Sequence, residues 1–352
     1  MDMQHFLIIT IKMYKYYIYW YNNVINSERG VVMIFSEYFD LKNVDGHSSI
    51  DFIDIDIVND TKLFIDPSLI EGSNDIWCNE ASILINSFFN NVFECYGDTE
   101  EKERLMELLN YGHEPNETKL GLSESKSKGK GTSDEGLYQI FKDIYQRDLV
   151  NKKLIEKPMD LCVFVHDFDK DRMSDLVTNI LRKKLCDFTL MQCKKHDIDI
   201  SDNEINIGKS WNSELECWED VVSRVPLVND EPILLVPKKI VRRNYIYSVN
   251  EYLNKKVLEH RQQYHVDNNT ELAQLKYSKA RGEYIAPPSK RTIREKEICE
   301  TPSKDYVTEY TINNPELIIE FREEAKRRIR LGDYTLRDEE LDELLYKEIF
   351  EE

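Results

Sequence analysis

Four aspartates follow an apolar run in the middle of this chain. Leu161 to Val165 is wholly apolar, His166 ends the run, and Asp167, Asp169, Asp171 and Asp175 crowd into the start of a helical pattern. Carboxylates collected where buried chain ends are costly unless water, a cation or a reaction uses their charge. The segment is therefore the first candidate site. Its spacing is not that of an EF-hand, because Arg172 stands where the loop needs glycine and Thr178 where it needs the closing glutamate. The plainer reading is that Asp171, Ser174 and Asp175 cap a helix and complement its dipole.

A second cluster lies upstream, in residues 113–133. Pro115 keeps His113 and Glu117 out of a helix interior, which excludes the helical two-ligand arrangement of HExxH proteases. Glu117-Thr118-Lys119 matches the ExK half of a PD-(D/E)xK nuclease site, where a carboxylate binds the cation and lysine places the water. Asp66, at the end of a short apolar segment, is positioned to supply the upstream aspartate, with Asp60 as the alternative. Gly121, Gly129 and Gly131 do not complete a P-loop, since Gly131 follows Lys130. A Lys/Ser/Gly loop carrying Lys128 and Lys130 remains, feeding the next helix as a phosphate cradle or a solvated loop.

The third feature is electrostatic. The chain of 352 residues carries 47 Lys and Arg against 66 Asp and Glu, a net charge of −19. Such a protein is repelled by bare nucleic acid unless it has a local basic surface. Residues 238–296 hold 14 Lys and Arg against 6 Asp and Glu. Lys238, Lys239, Arg242 and Arg243 lead that stretch, with Tyr245 and Tyr247 close behind. Basic residues interleaved with aromatics suit a nucleic-acid backbone, and equally an acidic protein face. Trp211 and Trp218 read as core or partner contacts. The seven cysteines include no CxxC and read as buried reduced thiols, and Cys186, Cys193 and His196 match no common zinc spacing.

The elements that must position these residues follow from periodicity. Residues 50–58 alternate Ile53, Ile55 and Ile57 with Asp54 and Asp56, which predicts a half-buried strand; 62–66 and 232–237 read as further strands. Helices are predicted at 75–93, 99–110, 133–146, 171–195, 248–263, 315–330 and 336–351, and 161–165 as a strand. The expected fold is α/β or α+β, a mixed sheet flanked by helices with a charged helical tail over 266–352. The core with the candidate site spans 33–265. Residues 6–21 are apolar but interrupted by Lys12 and Lys15, and fit neither a membrane span nor a signal peptide. Glu28-Arg29-Gly30 is compatible with a purine-rich ribosome-binding sequence just before Met33. On that reading translation starts at Met33 and 1–32 is a spurious extension.

Two resemblances bear on activity. An apolar strand running into Asp167-Phe168-Asp169-Lys170 resembles the opening motif of haloacid-dehalogenase-type phosphatases. It implies a nucleophilic Asp167 and a general-acid Asp169, but Asp171 departs from the Thr or Val of that motif. More broadly, LFIDPSLI (63–70), HEPNETKLGLSESKSKGKG (113–131), KDRMSDLVTNIL (170–181) and ILLVPKKIV (233–241) resemble an uncharacterised family of bacterial proteins from mobile-element and defence neighbourhoods. That resemblance implies that these polar loops belong to one site and gives them no catalytic roles.

The sequence thus predicts a cytoplasmic nuclease or other phosphoester hydrolase dependent on Mg²⁺ or Mn²⁺, possible in anti-phage defence, with nucleic acid met through 238–296 and no membrane. Asp66, Glu117 and Asp169 are the expected cation ligands, with Asp60, Glu114 and Asp167 as lesser candidates. Catalysis falls to Glu117, Lys119, Asp167 and Asp169. Phosphate falls to Lys128, Lys130, Lys238, Lys239, Arg242 and Arg243. The alternatives are a non-enzymatic sensor or adaptor that binds the product of a neighbouring gene, and a dehalogenase-like phosphatase.

Overall fold

The computed structural model describes residues 33–95, 102–112, 114–121, 134–280 and 282–347. Residues 1–32, and Lys128 and Lys130 within 122–133, lie outside the described residues.

Where apolar residues recur at helical spacing, helices form. These are α1 (Pro67–Gly72), α2 (Ile76–Glu94), α3 (Lys102–Leu109), α4 (Asp134–Gln146), α5 (Leu161–Phe164) and α6 (Lys170–His196). The α6 helix buries Met173, Leu176, Val177, Ile180, Leu181 and Leu185 and is the central strut of the fold. It is stopped by Asp197 in the left-handed conformation. Small antiparallel sheets are flanked by these helices, an α+β arrangement. A two-residue strand β1 (Phe64–Ile65) pairs with β4 (Val241–Arg242), and β2 (Ile205–Asn212) forms a hairpin with β3 (Cys217–Ser223). That hairpin seats Trp211 and Trp218 against Phe88, so both tryptophans are packing residues.

The strand expectations need correction, for a common reason. Residues 50–58 form only isolated bridges, Phe52 to Pro237 and Asp56 to Ile34. Ile53, Ile55 and Ile57 are buried as the alternation requires, but so are Asp54 and Asp56. Asp54 accepts from the Ser36 amide and hydroxyl at 2.8 and 2.5 Å, and Asp56 accepts from the Met33 and Val58 amides. These side chains take up backbone donors from neighbouring loops, which satisfies chain without a ladder. Likewise 232–237 touches a ladder only at its ends, Pro232 opposite Leu227 and Pro237 opposite Phe52; between them the Leu234 amide donates to the Glu117 carbonyl and the Leu235 amide to Thr189 Oγ1. Residues 161–165 are not a strand but the helical turn α5, preceded by a 3₁₀ turn at Pro158–Asp160. A short apolar run buried on every side has no period to distinguish the two. The dehalogenase-like reading loses the strand that would carry its nucleophile at Asp167.

Beyond 248 the chain continues in a helix over 249–267, the ribbon β5 (Gln274–Ser278) and β6 (Gly282–Ala286), and helices α7 (Ser303–Asn313), α8 (Glu316–Arg330) and α9 (Asp338–Asp342). The hairpins and α7 were not foreseen. These helices are charged outside, yet Val307, Leu317, Ile318, Phe321, Ala325 and Leu341 join the same apolar core as the preceding residues. Arg322 anchors α8 to the core, 2.8 Å from the fully buried Asp160 and 2.6 Å from Glu156. No helix among the described residues is long and apolar enough to cross a membrane. All seven cysteines are free, and Cys217 and Cys299 are the ones not buried.

Candidate functional site

Three segments meet at the first turns of α6. Asp169 is its N-cap, accepting from the Arg172 amide at 3.3 Å, and the Arg172 guanidinium returns to the Asp167 carbonyl. Asp167 itself has a positive φ of 55°, the turn that swings chain from α5 into α6. The second segment is the loop at Asp60 and Thr61. The third is 114–121, which lies along it: the Thr61 amide donates to the Lys119 carbonyl at 2.8 Å, and the Gly121 amide to the Thr61 carbonyl at 3.0 Å. Gly121 adopts φ +131° and its α-carbon faces Asp171, so that a Cβ there would lie 3.4 Å from Asp171 Oδ1. Ser174 Oγ accepts from the Ile65 amide at 3.0 Å and ties α6 to β1.

The residue at the focus is Asp175, one turn beyond Asp171 on the same face. It is 8% exposed, and no described group donates a hydrogen bond to its carboxylate. Burial first, then the charges of Asp171, Glu114, Asp169 and Asp60, push its pKa up to about 8. Asp60 is also raised, by burial and by Asp56, with Lys119 opposing. Five carboxylates from three separate segments therefore act on one point. Lys119, left-handed at φ 50°, stands beside Asp60 and 3.6 Å from Glu231.

Other predicted site residues lie elsewhere. Glu117 is buried and faces Arg182, whose Nε donates to it at 2.5 Å; that guanidinium also donates to the Lys209 carbonyl and to Asn179 Oδ1. Asp66 is wholly buried as the N-cap of α1, accepting from the Ser68 amide and hydroxyl at 2.9 and 2.6 Å. Burial raises its pKa, while Ser68 and Arg242 pull the other way. Asp66 and Asp169 both act on Cys162 and Tyr245, Glu117 is taken up by Arg182, and no group of three or more His, Cys, Asp or Glu among the described residues is arranged to hold a metal ion. Lys238 is 2.6 Å from Asp338, Lys239 is 2.6 Å from Asp75, and Arg242 lies over the Tyr334 ring. Arg243 is exposed.

A family model described as Domain of unknown function (DUF8370) matches residues 43–248. The chain belongs to that family. No curated protein and no solved structure matches it. The family region holds all five carboxylates of the cluster, together with Lys119 and the Glu117–Arg182 pair.

Asp171 and Asp175 were read from sequence as caps, and their inward spacing of four residues, directly after a buried run, was the available signal. Arg182 gave none. The positive φ of Gly121 offers a check. Gly121→Ala forces a side chain into a conformation that costs about 1–3 kcal/mol, with its Cβ in ordinary contact with Asp171. Urea denaturation should show that loss, and an unchanged midpoint would mean that the loop yields without strain.

Proposed function

We propose that this protein is a divalent-metal-dependent phosphoester hydrolase, with nucleic acid as the favoured substrate class, in which the electronegative face of Asp60, Glu114, Asp169, Asp171 and Asp175, not arranged as a ligand set in this structure, draws together around the cation it takes up. The observation that carries this reading is Asp175, a buried carboxyl to which no described group donates a hydrogen bond and on which four other carboxylates act electrostatically. Such repulsion weakens the fold and is relieved when a cation is taken up. Bound Mg²⁺ or Mn²⁺ would polarise a phosphoryl oxygen and acidify water. The exposed Asp169 and half-buried Asp171 would face the cation from the solvent side, while Asp175 closes the site from below. Lys119, on the same loop, would orient the attacking water or the phosphate. Relative to the sequence reading, Asp169 is kept, and Asp60 and Glu114 replace Asp66 and Glu117. The expected setting is the cytoplasm, in a defence role that rests on the family resemblance.

The test is calorimetric titration of Mn²⁺ into the protein and into Asp169→Asn and Asp175→Asn. Binding should weaken at least about tenfold in each variant, about 1.4 kcal/mol or more. Absence of binding in the unaltered protein would sink the hydrolase reading. It would favour the second one, a non-enzymatic adaptor for the product of a neighbouring gene. What supports that alternative is that Asp66 and Asp169 already serve as helix caps and Glu117 as half of an ion pair.

A further inference from the structure

The basic excess of residues 238–296 is partly neutralised in the folded chain. Half of those fourteen cations, from Lys238 to Arg291, sit 2.5 to 3.0 Å from a carboxylate oxygen. Lys276 and Lys279 are among those that do not: like Lys296, neither has an ion-pair partner among the described residues, and both are exposed. They lie on one structure, the ribbon of β5 and β6, paired from Gln274↔Ala286 to Ser278↔Gly282. Gln274, Leu275, Lys276 and Tyr277 are all exposed, so neither face of β5 is covered. Leu275 is 71% and Tyr277 73% exposed. The second strand is half-buried, with Ala286 covered, so the ribbon is held by β6 while the large side chains of β5 gain little from the fold.

We propose that this ribbon is an arm that docks single-stranded nucleic acid, with Lys276 and Lys279 on phosphates and Tyr277 stacked on a base. Charge complementarity selects the partner: the ribbon presents unneutralised cations on a chain whose net charge is −19. Shape selects it too. The Tyr277 ring stands open, 73% exposed, beside two unpaired lysines. A base needs only a π-face to stack on. The arm lies outside the family region, and its binding is separable from metal-dependent hydrolysis because it needs neither cation nor turnover.

The experiment is fluorescence anisotropy of a labelled oligothymidine with the full chain, in EDTA, across a salt series. The strand should bind, with affinity falling as salt rises. The Lys276→Glu/Lys279→Glu variant should weaken binding at least about tenfold and flatten the salt dependence. Tyr277→Ala should weaken it about 5- to 100-fold, the range for loss of one stacked base. Circular dichroism checks that both variants fold, which the exposure of the ribbon leads one to expect. No binding by the unaltered chain, or equal binding by the variants, overturns the proposal. So does a self-associating chain whose dimer these variants dissociate, because the ribbon would then seat a second copy.

Discussion

Asp175→Asn is expected to stabilise the folded chain near pH 8. In the unfolded chain this carboxyl titrates near 3.8, and in the folded chain near 8. Below about pH 4 both states hold the proton and the residue makes no difference. Between about 4 and 8 the unfolded state releases its proton while the folded state retains it, so stability falls as pH rises through that window. Above about 8 the loss is complete and constant. A gap of that size sets a ceiling of about 6 kcal/mol, and rearrangement of neighbouring charges brings the expected loss to a few kcal/mol. Asparagine keeps the shape and cannot ionise, so the variant should lack this fall. Urea denaturation from pH 5 to pH 8.5 tests it: the unaltered chain should lose stability with rising pH, and the variant should be the more stable of the two at the alkaline end. A variant less stable at pH 8 would mean that Asp175 is held by a favourable partner. Mn²⁺ at pH 8 should recover much of the loss in the unaltered chain and little in the variant, which connects the instability to cation uptake.

What was legible in the sequence was decided by the range of the interactions. The α6 helix could be read because Met173, Leu176, Val177, Ile180 and Leu181 are spaced by its own geometry. The meeting of the loops at 114–121 and 169–175 was implied only by the family resemblance, whose strings do not include the loop at 60, since Thr61, Lys119 and Gly121 join through backbone groups that are alike in every residue. Strands failed where a side chain replaced a ladder, as Asp54 and Asp56 do for Ser36 and Met33. At 161–165 the apolar composition was read correctly and the conformation was not, because Pro158 and Asp160 start a helical turn whose capping amides, Glu156 and Lys157, come earlier in the chain. The basic stretch at 238 was the most misleading feature. Its charge is real, but Asp75 and Asp338, which absorb it at Lys239 and Lys238, are remote in sequence.

Glu117 shows the same limit with a larger consequence. As part of an ExK triplet it suggests that Glu117→Ala would abolish activity and leave the fold intact. The folded chain gives the opposite expectation. Glu117 and Arg182 are 8% and 5% exposed, 2.5 Å apart, and Arg182 holds Asn179 and the Lys209 carbonyl as well, joining the 114–121 loop to α6 and β2. Removing one partner leaves an uncompensated buried charge, at about 3–5 kcal/mol. Much of the stability of an ordinary domain is no more than about 5–15 kcal/mol, so Glu117→Ala should show a large drop in the urea midpoint or fail to fold. The volume-conserving pair Glu117→Leu with Arg182→Met removes both charges and should recover a good part of the loss, since a buried pair replaced by apolar groups is often nearly neutral. Glu117→Gln keeps an acceptor for Arg182 Nε and should fold with Mn²⁺ affinity within about twofold of the unaltered chain, under 0.5 kcal/mol. If that variant folds normally but loses Mn²⁺, Glu117 is a ligand, and the cation belongs beside Arg182 and not at Asp175. The two titrations, Glu117→Gln and Asp175→Asn, therefore decide between the two positions, because each assignment requires one variant to lose the ion and the other to keep it.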